Sequence, residues 1–311
     1  MRILVTGAAG FIGSHTSERL SELGHEVLAI DNYSPYYDIT LKEINSEELE
    51  KKGIIVQRLD LRTNDLSDII TEDLDYIFHF AAQPGIAITS TFEDYFSNNI
   101  LGTQRLLTAI EPLESKPFFV NIATSSIYGL SATLTEDQAP SPASWYGVTK
   151  LAAEQLVLAY SRRNLLQSCS LRLYSVYGPR ERPDKLYTRL IDCGLNDKHF
   201  PLYDGSLEHL RSFTYVHDIV DGIVSVIGRE DVCNAEIFNL GTEKENSTAT
   251  GIAIVEEILQ AKIKIEHMAA RPGDQSRTRA NIDKARELLG YNPKTGLKEG
   301  LEAQLKWFQE K

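Results

Sequence analysis

Seven residues near the start of the chain, Gly7-Ala8-Ala9-Gly10-Phe11-Ile12-Gly13, constrain its fold more than any other feature. They follow a short apolar run, Arg2–Thr6, and open a segment, Phe11–Leu23, with apolar residues at helical spacing. A strand turning through glycines into a helix gathers bare amides and the helix's partial positive charge at one point, which suits a pyrophosphate. The spacing is GxxGxxG, and alone it also describes a glycine-rich turn. Its place between strand and helix, with Asp31 at the end of the second apolar run, points to a dinucleotide. An acid about 20 residues beyond such a turn accepts hydrogen bonds from the adenosine ribose hydroxyls. Asp31 would also repel a 2′-phosphate, and no arginine directly follows it, so NAD is expected rather than NADP.

Apolar runs at 2–6, 26–30, 54–58, 76–80, 118–122 and 168–173 read as strands, with helical segments such as 11–23 and 98–110 between them. That alternation predicts an α/β fold, a doubly wound parallel (Rossmann) sheet. It weakens after the loop Gly178-Pro179-Arg180-Glu181-Arg182-Pro183-Asp184. We expect a cofactor-binding lobe over 1–175 with a returning strand near 236–241. A smaller α/β substrate lobe is expected from 176–235 and 242–311, with a ligand cleft between the two. A chain of 311 residues, 42% apolar and 24% charged, forms such a core without staples. The formal charge of −12 argues against general nucleic-acid binding. No apolar run approaches membrane-spanning length. Cys169, Cys193 and Cys233 are too few and too scattered for a disulfide framework or a zinc site, and they fit a reducing cytoplasm; no metal is expected. The first residues read as a strand rather than a secretory signal, which leaves the sequon Asn246-Ser247-Thr248 little weight.

Several polar residues fall where strands of such a sheet end. Asp60-Leu61 follows the third run, where it suits either an adenine edge or a helix N-cap. His79-Phe80-Ala81-Ala82-Gln83 ends the fourth; its small residues let a cofactor pass close, and His79 is expected to be structural. The fifth leads into Asn121-Ile122-Ala123-Thr124-Ser125-Ser126-Ile127-Tyr128-Gly129. Tyr146 and Lys150 stand four apart, on one face if helical. An ammonium beside Tyr146 would lower its pKa and make it a general base near neutrality.

Taken together, these motifs resemble the extended short-chain dehydrogenase/reductases, in particular their nucleotide-sugar epimerases. The resemblance covers essentially the whole chain, adding Asn98-Asn99, Gly102-Thr103 and Arg172 through Arg182 to the motifs above. It implies that Thr124, Tyr146 and Lys150 are the catalytic hydroxyl, base and helper lysine. NAD would lie against Gly7, Gly10, Phe11, Ile12, Gly13, Asp31, Asn32, Asp60, Leu61, Ala81, Ala82 and Asn99, with Tyr146 and Lys150 at its nicotinamide end. Arg211 and Arg271 would bind the substrate phosphates, Asp274 the uridine ribose, and Tyr203 would flank the uracil. The family often has Asp at Ser212 and Pro at Trp145; the tryptophan would reshape the sugar pocket or pack the helix start. Members are commonly homodimers, packed through the helix carrying Tyr146 and its neighbour.

Related dehydratases carry Asp-Glu after the catalytic threonine, and related decarboxylases Ser-Glu. Ser125-Ser126 brings no carboxylate, which leaves reversible hydride transfer and one proton transfer, that is, 4-epimerisation. Asp31–Asp38 with Leu41-Lys42, and Tyr177–Pro183, resemble UDP-glucuronate 4-epimerases, in which the serines and the loop's second arginine approach the sugar carboxylate. Here these are Ser125, Ser126 and Arg182, with Ser175 close by. On the residues alone, Arg182 also suits a surface ion pair with Glu181 or Asp184. A neutral UDP-hexose epimerase, a keto-sugar reductase of the same fold and a non-enzymatic NAD-binding protein are the competing readings; the intact Thr124–Tyr146–Lys150 set argues against the last.

Overall fold

The computed structural model describes residues 1–85, 90–270 and 276–310. Seven strands form one sheet: β1 (Arg2–Thr6), β2 (Glu26–Asp31), β3 (Val56–Arg58), β4 (Tyr76–His79), β5 (Phe118–Thr124), β6 (Ser168–Leu173) and β7 (Ile237–Leu240). Their order is β7-β6-β5-β4-β1-β2-β3, every pairing parallel. This is the doubly wound sheet expected, with the late run as its edge strand. The middle strands read as continuous apolar runs because both faces are covered; all of β5 is buried.

The chain reverses its direction of travel between β1 and β4. Thr6 lies opposite His79, His79 opposite Asn121, and Thr124 opposite Leu173. The carboxyl ends of these strands therefore open along one crevice, where doubly wound sheets bind ligands. Helices α1 (Phe11–Glu22), α2 (Thr40–Lys51), α3 (Gly102–Ile110) and α4 (Trp145–Arg162) lie in the connections. The helical segment expected at 98–110 starts earlier. A turn at Phe92–Tyr95, capped by Thr91 with Asp94, runs through a π-helical stretch, Phe96–Leu101, into α3. The third strand begins at Val56, two residues later than expected, because its pairing with β2 starts only at Ala29 opposite Val56.

Outside the central sheet most strands are only two residues long. Four two-residue strands, Ser131–Ala132, Leu210–Arg211, Asn246–Ser247 and Arg277–Thr278, make a second small sheet. A separate core of Tyr177, Tyr187, Leu190, Phe200, Val255 and Leu301 joins α5 (Leu186–Leu195) to α7 (Leu297–Gln309), while α6 (Val216–Val224) reaches back to α1 through a His15–His217 ring contact at 5.1 Å.

Candidate active site

The glycine turn is a cradle. Gly7 has φ +71°, and a Cβ there would sit 2.8 Å from the Ala81 amide nitrogen. A Cβ on Gly13 would run into the Gly7 carbonyl oxygen. No side chain caps α1 at Gly10. The amides of Phe11, Ile12 and Gly13 are thus first-turn donors without intrahelical acceptors. Thr6 locks the neighbouring strand end: its hydroxyl pairs with His79 Nδ1 at 2.8 Å and accepts from the Ala81 amide at 3.2 Å. His79 Nε2 pairs with Thr103 at 2.9 Å. Burial, aided by Lys150, lowers the His79 pKa to about 3, so His79 is a neutral brace, as expected. Ala81 and Ala82 border this turn and are partly exposed.

Asp31 ends β2 and is 5% exposed. Its Oδ1 accepts from the Tyr33 amide at 2.7 Å and from Lys42 Nζ at 3.1 Å, and no described residue donates to Oδ2. Lys42, on α2, was not singled out as a site residue; its distance from Asp31 along the chain hides the contact. Asn32 donates to Asp60 Oδ2 at 3.2 Å. Asp60 caps no helix. It heads a turn, its carbonyl accepting from Thr63 and Asn64, and a two-point pair with Arg62 lowers its pKa to about 2. Leu61 is buried beside it. Asn99 sits on the π-helical stretch, where it accepts from the Gln83 amide at 2.7 Å and donates to Thr149 Oγ1 at 3.0 Å. It ties the loop after β4 to α4.

Thr124 closes β5, and its hydroxyl accepts from the Ser126 amide at 3.2 Å. Ser144 caps α4 by accepting from the Gly147 amide at 3.1 Å. A Cβ at Gly147 would lie 2.7 Å from the Ser126 carbonyl oxygen, so only glycine lets α4 seat this closely on the Ser125–Tyr128 turn. That seating brings Tyr146 to a hydrogen bond with Thr124. Lys150 lies one turn further, 4% exposed. The expected lowering of the tyrosine pKa is not what the structure gives. Burial raises the Tyr146 phenol above its ordinary value, against the hydrogen bond from Thr124 and the charge of Arg182. Lys150 is not among the main groups acting on it; burial lowers its own pKa to about 8, opposed by Glu154. Glu154 in turn is claimed by Arg172, which donates to it at 2.7 and 3.0 Å in the core.

Opposite Tyr146 lies Arg182, 7% exposed, donating to the Pro84 carbonyl and to Asp184, each at 3.3 Å, with its guanidinium 5.4 Å from the Tyr36 ring. The ion pair with Asp184 considered above does form, but with the guanidinium buried and only the carboxylate half-exposed. Ser125 is buried and Ser126 partly so; Ser175 is partly exposed just beyond β6. Tyr203 and Arg211 lie further out on short strands. Ser212 is fully buried and its hydroxyl finds no partner among the described residues. Arg271 and Asp274 lie outside the described residues. Trp145 is 56% exposed, edge-on to Phe92, and lines a hollow of about 450 Å³ with Tyr95, Pro142, Tyr146 and Val148.

The family described as GDP-mannose 4,6 dehydratase matches residues 4–304. A Bacillus subtilis protein described as an uncharacterized UDP-glucose epimerase, YtcB, is 38% identical over 97% of this chain and 96% of its own. UDP-glucuronate 4-epimerase 3 of Arabidopsis thaliana is 33% identical over 98% of this chain and 76% of its own. The crystal structure of a Bacillus cereus UDP-glucuronic acid 4-epimerase, in complex with UDP-glucuronic acid and NAD, is 36% identical and superposes with a TM-score of 0.93 over 100% of this chain and 99% of that one.

Proposed function

The chain belongs to the extended short-chain dehydrogenase/reductase family of nucleotide-sugar epimerases and dehydratases, and we propose that it interconverts UDP-glucuronate and UDP-galacturonate by inversion at C4, using NAD. One observation carries the choice of substrate. Arg182 is a buried guanidinium whose charge acts on Tyr146, and Thr124 is followed by two hydroxyl residues, Ser125 and Ser126, rather than a carboxylate.

The glycine cradle fits a dinucleotide: side chains at Gly7 or Gly13 would strike the turn's own backbone, and the tight turn that the glycines permit leaves the first amides of α1 without helical acceptors, as a pyrophosphate requires. Gly7, Gly10 and the first amides of α1 would hold the diphosphate, Asp31 Oδ2 the adenosine ribose, and Asn32, Asp60 and Leu61 the adenine side. NAD bound there supplies a hydride acceptor and a positive charge beside the phenol. Tyr146 takes the proton of the sugar 4-hydroxyl, and Thr124 orients both oxygens. Lys150 keeps most of its charge at pH 7, since its pKa stands near 8, and would hold the nicotinamide ribose. Arg211, Arg271, Asp274 and Tyr203 would anchor UDP while the 4-keto sugar turns.

Oxidation of a glucuronate at C4 makes a β-keto acid. It loses CO₂ when the breaking bond stands perpendicular to the carbonyl plane. The planar fork of Arg182 suits a carboxylate held away from that alignment. Arg182→Ala should therefore lower turnover of UDP-glucuronate far more than any turnover of UDP-glucose, and release some UDP-4-keto-pentose detectable by mass spectrometry. Equal losses on both sugars would favour a neutral UDP-hexose epimerase, the reading to which the name of the Bacillus subtilis relative points.

We also assign the protein to the cytoplasm as a homodimer. No helix among the described residues is long and apolar enough to cross a membrane, and all three cysteines are free and buried. Phe92, Phe96, Leu101, Trp145 and Val148 are exposed on α4 and the segment before α3, an apolar face suited to a second copy.

A further inference from the structure

Three successive residues of the loop after Gly178 anchor in three directions. Arg180, in the left-handed region at φ +68°, turns back to α1 and donates to Glu18 at 2.9 Å and to Ser14 at 3.3 Å. Arg182 turns into the site. Glu181, between them, turns the opposite way and is 4% exposed. Its Oε2 accepts from Thr188 of α5 and from Gln304 of α7, each at 2.9 Å, and Gln304 also donates to Thr188 at 3.0 Å. Gln304 is fully buried, and its Oε1 has no partner among the described residues.

A carboxylate is an expensive way to fasten a loop. Burial raises the pKa of Glu181 against the pull of Gln304, Lys185, Thr188 and Arg182. An apolar side chain would hold α5 and α7 together without that cost. What a carboxylate adds is direction: two fixed donors hold its oxygen in one place, and with it the backbone that carries the next residue. Arg180 fixes the other side of the same backbone to α1. Arg182 itself reaches only loop residues, the Pro84 carbonyl and Asp184 at 3.3 Å each and the Tyr36 side chain.

We propose that Glu181, held by Thr188 and Gln304, is a positioning residue that sets the aim of Arg182, so that the C-terminal helix governs discrimination between an acidic and a neutral sugar. This rests on Arg182 reading the carboxylate, as proposed above.

The test is calorimetric titration of UDP-glucuronate and UDP-glucose into NAD-loaded protein, comparing Glu181→Met, which fills the space without accepting a bond, with Glu181→Gln. The glutamine keeps an acceptor for Gln304 and offers a donor to its orphaned Oε1. Glu181→Met should weaken UDP-glucuronate about tenfold or more, the scale of a lost charge-assisted hydrogen bond, and leave UDP-glucose within about twofold. Glu181→Gln should restore the wild-type ratio. Unchanged selectivity in a folded Glu181→Met protein, or equal weakening of both sugars, overturns the inference. Should that variant not fold, Thr188→Val removes one donor at constant shape and must move the ratio the same way; if it leaves the ratio unchanged, the inference is likewise overturned. Arg182→Ala, measured alongside, separates the two ideas. If it leaves the affinity ratio untouched, the uronate reading fails. If it collapses the ratio and Glu181→Met does not, only the positioning role fails.

Discussion

The Asp31–Lys42 pair makes fold stability and cofactor affinity separable. Both side chains are buried, at 4% and 9% exposure, and they meet at 3.1 Å. Asp31→Ala should weaken NAD by the loss of a charge-assisted hydrogen bond to the ribose, about 1.5–3 kcal/mol, or roughly tenfold to 150-fold in Kd. It also strands the Lys42 ammonium. Removing one partner of a buried pair costs about 3–5 kcal/mol, whereas replacing both by apolar groups is often neutral or stabilising. The double variant Asp31→Ala/Lys42→Met should therefore recover most of the lost stability and none of the lost affinity. Urea unfolding of NAD-free protein gives the first quantity, and NAD titration followed by fluorescence gives the second. If the double variant is no more stable than Asp31→Ala, the pair does not couple as described. If either variant holds NAD like the wild type, Asp31 does not touch the ribose, and the preference for NAD loses its physical basis.

Tyr146→Phe should lower kcat by about a hundredfold to ten-thousandfold, the usual cost of losing a general base, with substrate affinity within a few-fold. Near-normal turnover in stopped assays with resolved sugars would exclude Tyr146 as the base. Acidification should destabilise the protein through His15 and His79, whose pKa values burial lowers from 6.5 to about 3 each. The unfolded chain binds these protons first. Each histidine's contribution is therefore intact above about pH 6.5 and is lost towards pH 3, at up to about 1.4 kcal/mol per pH unit. Urea midpoints at pH 7, 6 and 5 check the slope, and His79→Gln should flatten it.

The sheet was legible because its strands carry one simple signal. Buried on both faces, β1, β4 and β5 read as mainly apolar runs, and small residues follow their carboxyl ends, while β6 keeps Ser168, Ser170 and Arg172 in the core by pairing them. The same rule misplaced the start of β3, since Ile55 is apolar yet 70% exposed. The missed helical start had a visible cue: Thr91-Phe92-Glu93-Asp94 forms a capping box. The π-helical stretch after it had none. Its extra residue per turn turns Asn99 inward to hold Gln83 and Thr149, a tertiary requirement with no local code. The family resemblance singles out Thr124, Tyr146 and Lys150 as a set, and the glycine turn could be placed from spacing. The partners of Asp31 and Glu181 could not, because they come from helices that meet only when the chain is folded.

The tyrosine marks the limit of spacing as an argument. Four residues of helix place Tyr146 and Lys150 on one face, but they say nothing of how much water remains around either. In the folded chain desolvation dominates both groups, raising the phenol and lowering the ammonium. Glu154, the acid one turn beyond Lys150, would restore that lysine's pKa more fully if it were free. It is held instead by Arg172 at 2.7 and 3.0 Å. With Glu154 so engaged, its charge is largely neutralised locally, and Lys150 stays near 8, charged at neutral pH yet within reach of losing its proton. The Thr124 hydroxyl, the Arg182 charge and the Gly85 backbone favour the phenolate. The arginine proposed to hold the sugar carboxylate is thus also a cation acting on the base. A bound carboxylate would offset part of that charge. The balance that makes Tyr146 basic enough therefore depends on which sugar is bound as well as on the protein, and it ties substrate choice to the proton-transfer step through a single guanidinium.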